Sequence, residues 1–330
     1  MKMERKLEEI GFYTLEDYRI MQNSKNSPMW RCEIIVTEYC NFKCPYCRGL
    51  KSEIYGERKL KQLSLQEVKE VIDIWCKDKP LKNIRFSGGE PTLHKNIVEM
   101  VEYAKLKGIE RIAISTNGSS YFPLYQKLIR AGCNDFSISL DACCTNDGDT
   151  MAGVRGAFQT VVSNIKEISK LTYVTVGVVY DEKNIKKLKE TIHFAHSLGV
   201  ADIRIISSAQ YNQSIPVEIE QEILDAHPIL KYRLSNKSHG RGVRGIQETD
   251  SHKCNLINDD CIVAGDYHFP CVIYMREKGK PIGKVSWDMR EKRREWIKTH
   301  DCHCDSICKK NCLDVCIDYN NRYEKLKCKK

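Results

Sequence analysis

The chain has 330 residues, 42% hydrophobic and 29% charged, a globular composition with room for two domains or one barrel-sized domain and an appendage. Its net charge of +9 is carried largely by scattered lysines such as Lys183, Lys186, Lys187 and Lys189, which reads as solvated helix surface ahead of an anionic partner. No 18-residue apolar stretch and no signal-like apolar run after the charged start are present. No membrane-spanning helix is therefore expected, no membrane partner, and a cytoplasmic location.

Residues 1–30 read as an N-terminal cap, with a helix over Thr14–Met21. From Arg31 a βα rhythm recurs at roughly 25–30 residues: strands at 32–37, 83–87, 111–115, 135–140, 172–179 and 202–207. Helical patterns at 64–78, 95–107, 121–131, 155–170 and 184–198 lie between them. The first has a capping box, Ser64-Leu65-Gln66-Glu67, ahead of an apolar face of Val68, Val71, Ile72 and Trp75. Repeated βα units with little room for hairpins predict a parallel sheet covered by helices, either an open doubly wound sheet or a partly closed barrel. The barrel portion is expected over 31–210. Residues 211–253 read as a bridging region, with a helical stretch at Ile215–Ala226 and a linker-like Gly240–Gly245 segment.

Seventeen cysteines are unevenly placed, three in Cys40-Asn41-Phe42-Lys43-Cys44-Pro45-Tyr46-Cys47 and nine between Cys254 and Cys328. In a reducing compartment such clusters bind metal or do chemistry rather than form disulfides. The C-x3-C-x2-C loop follows the apolar run Glu33–Thr37 and can wrap three thiolates around one corner of an iron–sulfur cube. Full ligation of a [4Fe–4S] cluster takes four cysteines, so one iron is left for an outside ligand. In parallel α/β folds ligands gather at the carboxyl ends of strands. The loops that follow the other strands there are Ser87-Gly88-Gly89-Glu90, Ser115-Thr116-Asn117-Gly118 and Ser139-Leu140-Asp141, all polar or glycine-rich.

The cysteine motif followed by Gly88-Gly89-Glu90-Pro91 resembles the radical S-adenosylmethionine (SAM) superfamily over roughly residues 31–210. The resemblance implies an α/β fold, a partial (β/α)6 TIM-type barrel with a [4Fe–4S] cluster on Cys40, Cys44 and Cys47. It implies reductive cleavage of SAM to a 5′-deoxyadenosyl radical, fed by an electron donor such as flavodoxin or ferredoxin. Carried over residue by residue, Gly88, Gly89 and Glu90 meet the methionine end of SAM and Tyr46 lies near adenine. Asn117 contacts SAM or substrate, and Ser139 and Arg155 hold the SAM ribose or carboxylate. The stretch 142–153 departs from the pattern by its length and is expected to form a loop or substrate lid, with Cys143 and Cys144 as bystander thiols.

Residues 254–330 resemble a shortened SPASM or twitch extension, a small cysteine-rich domain that implies an auxiliary [4Fe–4S] cluster. Its candidate ligands are Cys254, Cys261, Cys271, Cys302, Cys304, Cys308, Cys312 and Cys316, with zinc as the alternative metal. On a straight helix the run from Cys304 to Cys316 would span about 18 Å, too far for one site, so a fold-back near Lys309–Asn311 or separate sites is required. His268 and His303 read as packing or surface residues. The expected substrate is a peptide or protein, with nucleotide or cofactor biosynthesis as the alternative within the family. The reading from another class is a zinc-stapled nucleic-acid-binding protein, for which no module signature is found.

Overall fold

Six parallel strands lie side by side in chain order: β1 (Arg31–Thr37), β2 (Asn83–Gly88), β3 (Arg111–Thr116), β4 (Asp135–Ser139), β5 (Tyr173–Tyr180) and β6 (Asp202–Ser207). The computed structural model describes residues 17–23, 29–48, 62–211 and 217–328. Each of these strands falls within one residue of its expected bounds. Alternate strand residues are apolar and fully buried: Ile34 and Val36 on β1, Phe86 on β2, Ile112 and Ile114 on β3, Ile203 and Ile205 on β6. They share one core with residues of the covering helices. Those helices are α2 (Leu65–Trp75), α3 (Ile97–Leu106), α4 (Phe122–Ala131), α6 (Ala157–Ser169) and α7 (Leu188–Ser197). The predicted capping box starts α2: Glu67 N donates to Ser64 Oγ at 3.2 Å and Ser64 N to Glu67 Oε2 at 2.7 Å.

The expected loop at 142–153 instead contains a helix, α5 (Thr145–Ala152). Its Gly148 lies where a β-carbon would meet Phe158 at 2.3 Å, so α5 packs directly on α6. After β6 come α8 (Gln221–Ala226) and α9 (Pro228–Ser238). Part of the helix expected over Ile215–Ala226 lies outside the described residues, as does the start of that expected over Thr14–Met21.

The cysteine-rich region extends the barrel's sheet. Strand β7 (Asp260–Ala264) pairs in parallel with the free edge of β1, Cys32 opposite Cys261, and β8 (Tyr267–Phe269) and β9 (Gly283–Lys284) follow antiparallel. The strand order is β6-β5-β4-β3-β2-β1-β7-β8-β9. Four helices complete the region: α10 (Val272–Arg276), α11 (Met289–Thr299), α12 (Ser306–Asn311) and α13 (Asp314–Lys327). The buried Arg293 of α11 donates to the carbonyls of Ile257, Asp260 and Phe269, tying that helix to β7 and β8. The N-terminal helix α1 (Asp17–Gln22) packs here too, Ile20 among Val315, Tyr319 and Tyr323, with Arg19 paired to Asp259 at 2.9 Å.

Candidate active site and metal centre

The loop bearing Cys40, Cys44 and Cys47 leaves the carboxyl end of β1 and is held in place by backbone. Gly89 N donates to Thr37 O at 2.8 Å and Glu90 N to Tyr39 O at 2.7 Å. Only glycine tolerates that approach. A β-carbon on Gly88 would stand 2.0 Å from Thr37 O, and one on Gly89 2.2 Å from Tyr39 O. From the other side, Lys43 N donates to Ala152 O at 2.7 Å, so the segment expected as a lid is packed against the cysteine loop. Cys143 is half-buried and Cys144 exposed where α5 begins.

Glu90 is fully buried and organises three loop ends. Its Oε1 accepts from Thr92 N at 3.0 Å, Thr92 Oγ1 at 2.6 Å and Thr116 Oγ1 at 2.7 Å, while Oε2 accepts from Asn117 N at 2.6 Å. Burial pushes its carboxyl above the usual range and these donors pull it back. Asn117 extends the link to the cysteine loop, its Nδ2 lying 2.8 Å from Asn41 Oδ1 and 3.8 Å from Cys40 Sγ.

The three thiols are partly exposed, and the neighbouring thiols disfavour ionisation of Cys44 and Cys40. Burial pushes Cys44 up to about 12, and the charges of Asp141, Cys47 and Cys40 add to it. Cys40 is raised in the same way, while Phe42 N at 3.4 Å from its sulfur favours the thiolate. A concentration of thiols and a carboxylate with N–H donors on one sulfur suits a cationic metal group, which deprotonates its thiols outright.

Tyr46 donates its phenol to Asp141 Oδ2, whose other oxygen accepts from Val179 N at 2.6 Å. Tyr46 is thus tied across the loop to the end of β5. Ser139 is exposed at the carboxyl end of β4. Arg155 is exposed in the turn before α6, beside Asp149. Asp149 caps that helix, accepting from Gly156 N at 2.6 Å and Phe158 N at 2.9 Å.

The family model for the radical SAM superfamily matches residues 34–195. These residues match a radical SAM domain. In sequence the chain is similar to a probable GTP 3′,8-cyclase of Saccharolobus solfataricus, 30% identical over 181 residues, 54% of this chain and 57% of that protein. It thus spans little more than half the length of the curated relatives it matches. In fold it is similar to SuiB of Streptococcus suis bound to precursor peptide SuiA, TM-score 0.57 at 14% identity over 85% of this chain and 67% of that one. It is also similar to anSMEcpe with bound AdoMet, TM-score 0.57 at 16% identity over 91% of each chain. Among the described residues no helix is long and apolar enough to cross a membrane.

Beyond the radical SAM domain, Cys254, Cys271, Cys302, Cys308, Cys312 and Cys316 line one cavity of about 60 Å³. The chain turns at Cys312 and Leu313, between α12 and α13, just after the fold-back expected at Lys309–Asn311, and this brings Cys308, Cys312 and Cys316 around one space. Two expected ligands are elsewhere. Cys261 is buried in β7 opposite Cys32, because its strand joins β1, and Cys304 is exposed in the turn before α12. His268 is buried, its proton affinity lowered to about 3 mainly by burial, and His303 stacks on His252.

The residue sequence reasoning missed is His300. Its Nε2 lies 3.5 Å from Cys308 Sγ, and with Cys302 Sγ all three atoms fall within 4.8 Å of one another. Cys302 is lowered to about 6, chiefly by the hydrogen bond from Cys308 and further by His300. Only the adjacency of His300 to the Cys302-x-Cys304 pair hinted at this in the sequence.

Proposed function

We propose that the chain is a radical SAM enzyme that holds a [4Fe–4S] cluster on Cys40, Cys44 and Cys47 and cleaves SAM reductively. The observation that carries this is the seating of the cysteine loop on Gly88 and Gly89, where no other residue allows the backbone contact. Cys40, Cys44 and Cys47 would hold the cluster, which when bound and reduced would provide one electron for splitting SAM into methionine and a 5′-deoxyadenosyl radical able to take a hydrogen atom from substrate. The residues of this chain position the reactants. Glu90 fixes the loops after β2 and β3, Asn117 orders the cysteine loop, and Tyr46 with Asp141 closes its far side. Ser139, exposed at the carboxyl end of β4, and Arg155, exposed before α6, remain the residues assigned to the SAM ribose or carboxylate in this reading.

The C-terminal cavity supports an auxiliary metal centre drawn from Cys254, Cys271, Cys302, Cys308, Cys312 and Cys316. An iron–sulfur cluster is the leading occupant and zinc the alternative. An external flavodoxin or ferredoxin supplies the electron. A peptide or protein substrate draws support from the fold shared with SuiB, and a nucleotide from the sequence shared with GTP 3′,8-cyclase. The test is anaerobic reconstitution followed by dithionite and SAM. The wild type is expected to be brown and to release 5′-deoxyadenosine, and Cys44→Ala to release none. Colourless wild-type protein carrying only zinc, or cleavage by Cys44→Ala, overturns the reading.

A further inference from the structure

Parallel strands covered on both faces read as continuous apolar runs. Here the side away from the helix-packed positions carries, alongside the apolar Ile35, Ala113, Val179 and Ile206, the polar residues Glu33, Arg85, Ser87, Ser115, Ser137 and Arg204. They bond to one another across the strands. Ser87 Oγ donates to Glu33 Oε1 at 2.6 Å, Arg85 Nη1 to Ser115 Oγ at 2.8 Å, and Arg204 Nη2 to Ser137 Oγ at 3.2 Å. Gly177 on β5 is paired with Arg204 on β6, and a β-carbon there would lie 3.4 Å from Arg204 Nη2, so β5 leaves space for the guanidinium to reach Ser137 on β4. The inner side of the sheet therefore carries a polar network among a few apolar neighbours.

Its charges do not balance. Arg31 pairs with Glu33 at 2.8 Å and lies 3.7 Å from Asp260, while Arg85 and Arg111 share Asp135 at 3.4 and 3.5 Å. Among the described residues Arg204 has no carboxylate within 4.0 Å, and the Nε atoms of both Arg204 and Arg85 are buried without a partner. Burial, then the charges of Arg85 and Arg233, lower Arg204 to about 10, which still leaves it protonated at neutral pH. A part-buried guanidinium whose Nε is unpartnered and which feels the charge of a second guanidinium favours a compensating anion. Arg85 and Arg204 sit three residues before the ends of β2 and β6, about 10 Å below the loops that carry the cysteines and Gly88–Glu90. A substrate anchored there points its other end toward the SAM site.

We propose that Arg204 and Arg85, with Ser137 and Ser115, form a subsite inside the barrel for an oxyanion of the substrate, a carboxylate or a phosphate. The assignment of that anion to a substrate rests on the radical SAM reading; the anion site itself does not.

The full chain, reconstituted anaerobically, is titrated calorimetrically with inorganic phosphate and separately with acetate. Saturable binding of at least one of them to a single site is expected, phosphate identifying a phosphorylated substrate and acetate a carboxylate. Arg204→Met is expected to weaken it by about tenfold or more, and Arg204→Lys, which keeps the charge and loses the fork, by less. Release of 5′-deoxyadenosine from SAM in the absence of substrate is expected to be unchanged in both. No saturable binding to the wild type, or equal binding by Arg204→Met, overturns the proposal. If Arg204→Met does not fold, equal binding by Arg204→Lys and Ser137→Ala overturns it instead. A wild type that binds the anion but releases no 5′-deoxyadenosine refutes the radical reading and leaves the anion site standing.

Discussion

Gly89 faces the carbonyl of Tyr39 so closely that a β-carbon would lie 2.2 Å from its oxygen. The same two strand ends are joined by Gly89 N to Thr37 O and Glu90 N to Tyr39 O. The first task of the glycine pair is therefore to seat the cysteine loop. Gly89→Ala is expected to push that loop off β2, a backbone displacement costing about 1–3 kcal/mol. Iron bound at the Cys40–Cys47 loop should drop while far-UV circular dichroism is unchanged. Full iron loading and wild-type SAM cleavage in Gly89→Ala would show that the contact is dispensable.

Glu90→Gln tests the second layer. Four N–H or O–H donors converge on the two oxygens of Glu90, and glutamine replaces one of those oxygens with a donor. Hydrogen bonds to a charged acceptor contribute about 1.5–3 kcal/mol, so a loss on the order of 2 kcal/mol in urea unfolding is expected. SAM cleavage should fall with it, because Asn117 loses its anchor. Unchanged stability would mean that Glu90 is protonated in the native protein and already donates.

The barrel was legible in the sequence because its signals are local. Each strand is a short β-branched run, and Ser64 and Glu67 announce α2 by themselves. What was not legible depends on distant partners. Residues Thr145–Ala152 contain a glycine and few apolar side chains, so their helix is visible only through its packing on Phe158 and the cap that Asp149 gives the next helix. The strand Asp260–Ala264 has an ordinary apolar centre, but nothing near it says that its partner is β1. That pairing takes Cys261 away from the other cysteines. The cysteine motif and Gly88–Glu90 were readable as a pair, whereas His300 and Arg204 acquire meaning only from what the fold puts beside them.

Asp202, at the start of β6, carries a pH dependence remote from either metal site. Burial pushes its carboxyl up to about 7, against the lowering effect of the Ile229 and Ile203 N–H groups. Its folded value exceeds the unfolded value of about 3.9, so the native state binds the proton more tightly. The stability this gives is complete below about pH 4 and is lost as pH rises toward 7. Asp202→Asn keeps an acceptor for those N–H groups and removes the charge. The variant is expected to match the wild type at pH 4 and to exceed it at pH 8 by on the order of 4 kcal/mol. Parallel pH–stability curves for the two proteins would contradict this.

The C-terminal cysteines divide by position rather than by spacing, and metal counting in a chain lacking Cys40, Cys44 and Cys47 reads the division directly. Cys271 lines the cavity and Cys261 lies beside Cys32, so Cys271→Ser should lose the remaining metal while Cys261→Ser and Cys304→Ser retain it. His300 belongs with the first group. A tetrahedral ion with bonds of about 2.0–2.1 Å to nitrogen and 2.3 Å to sulfur sets those two atoms about 3.6 Å apart. The separation of His300 Nε2 and Cys308 Sγ is 3.5 Å. His300→Ala is therefore expected to weaken retention of the metal against a chelator by about tenfold or more. Iron in the triple variant identifies an auxiliary cluster and zinc a structural ion, and in either case loss on His300→Ala makes the imidazole a ligand. Retention identical to that of the parent would reduce His300 to a hydrogen-bond partner of Cys308.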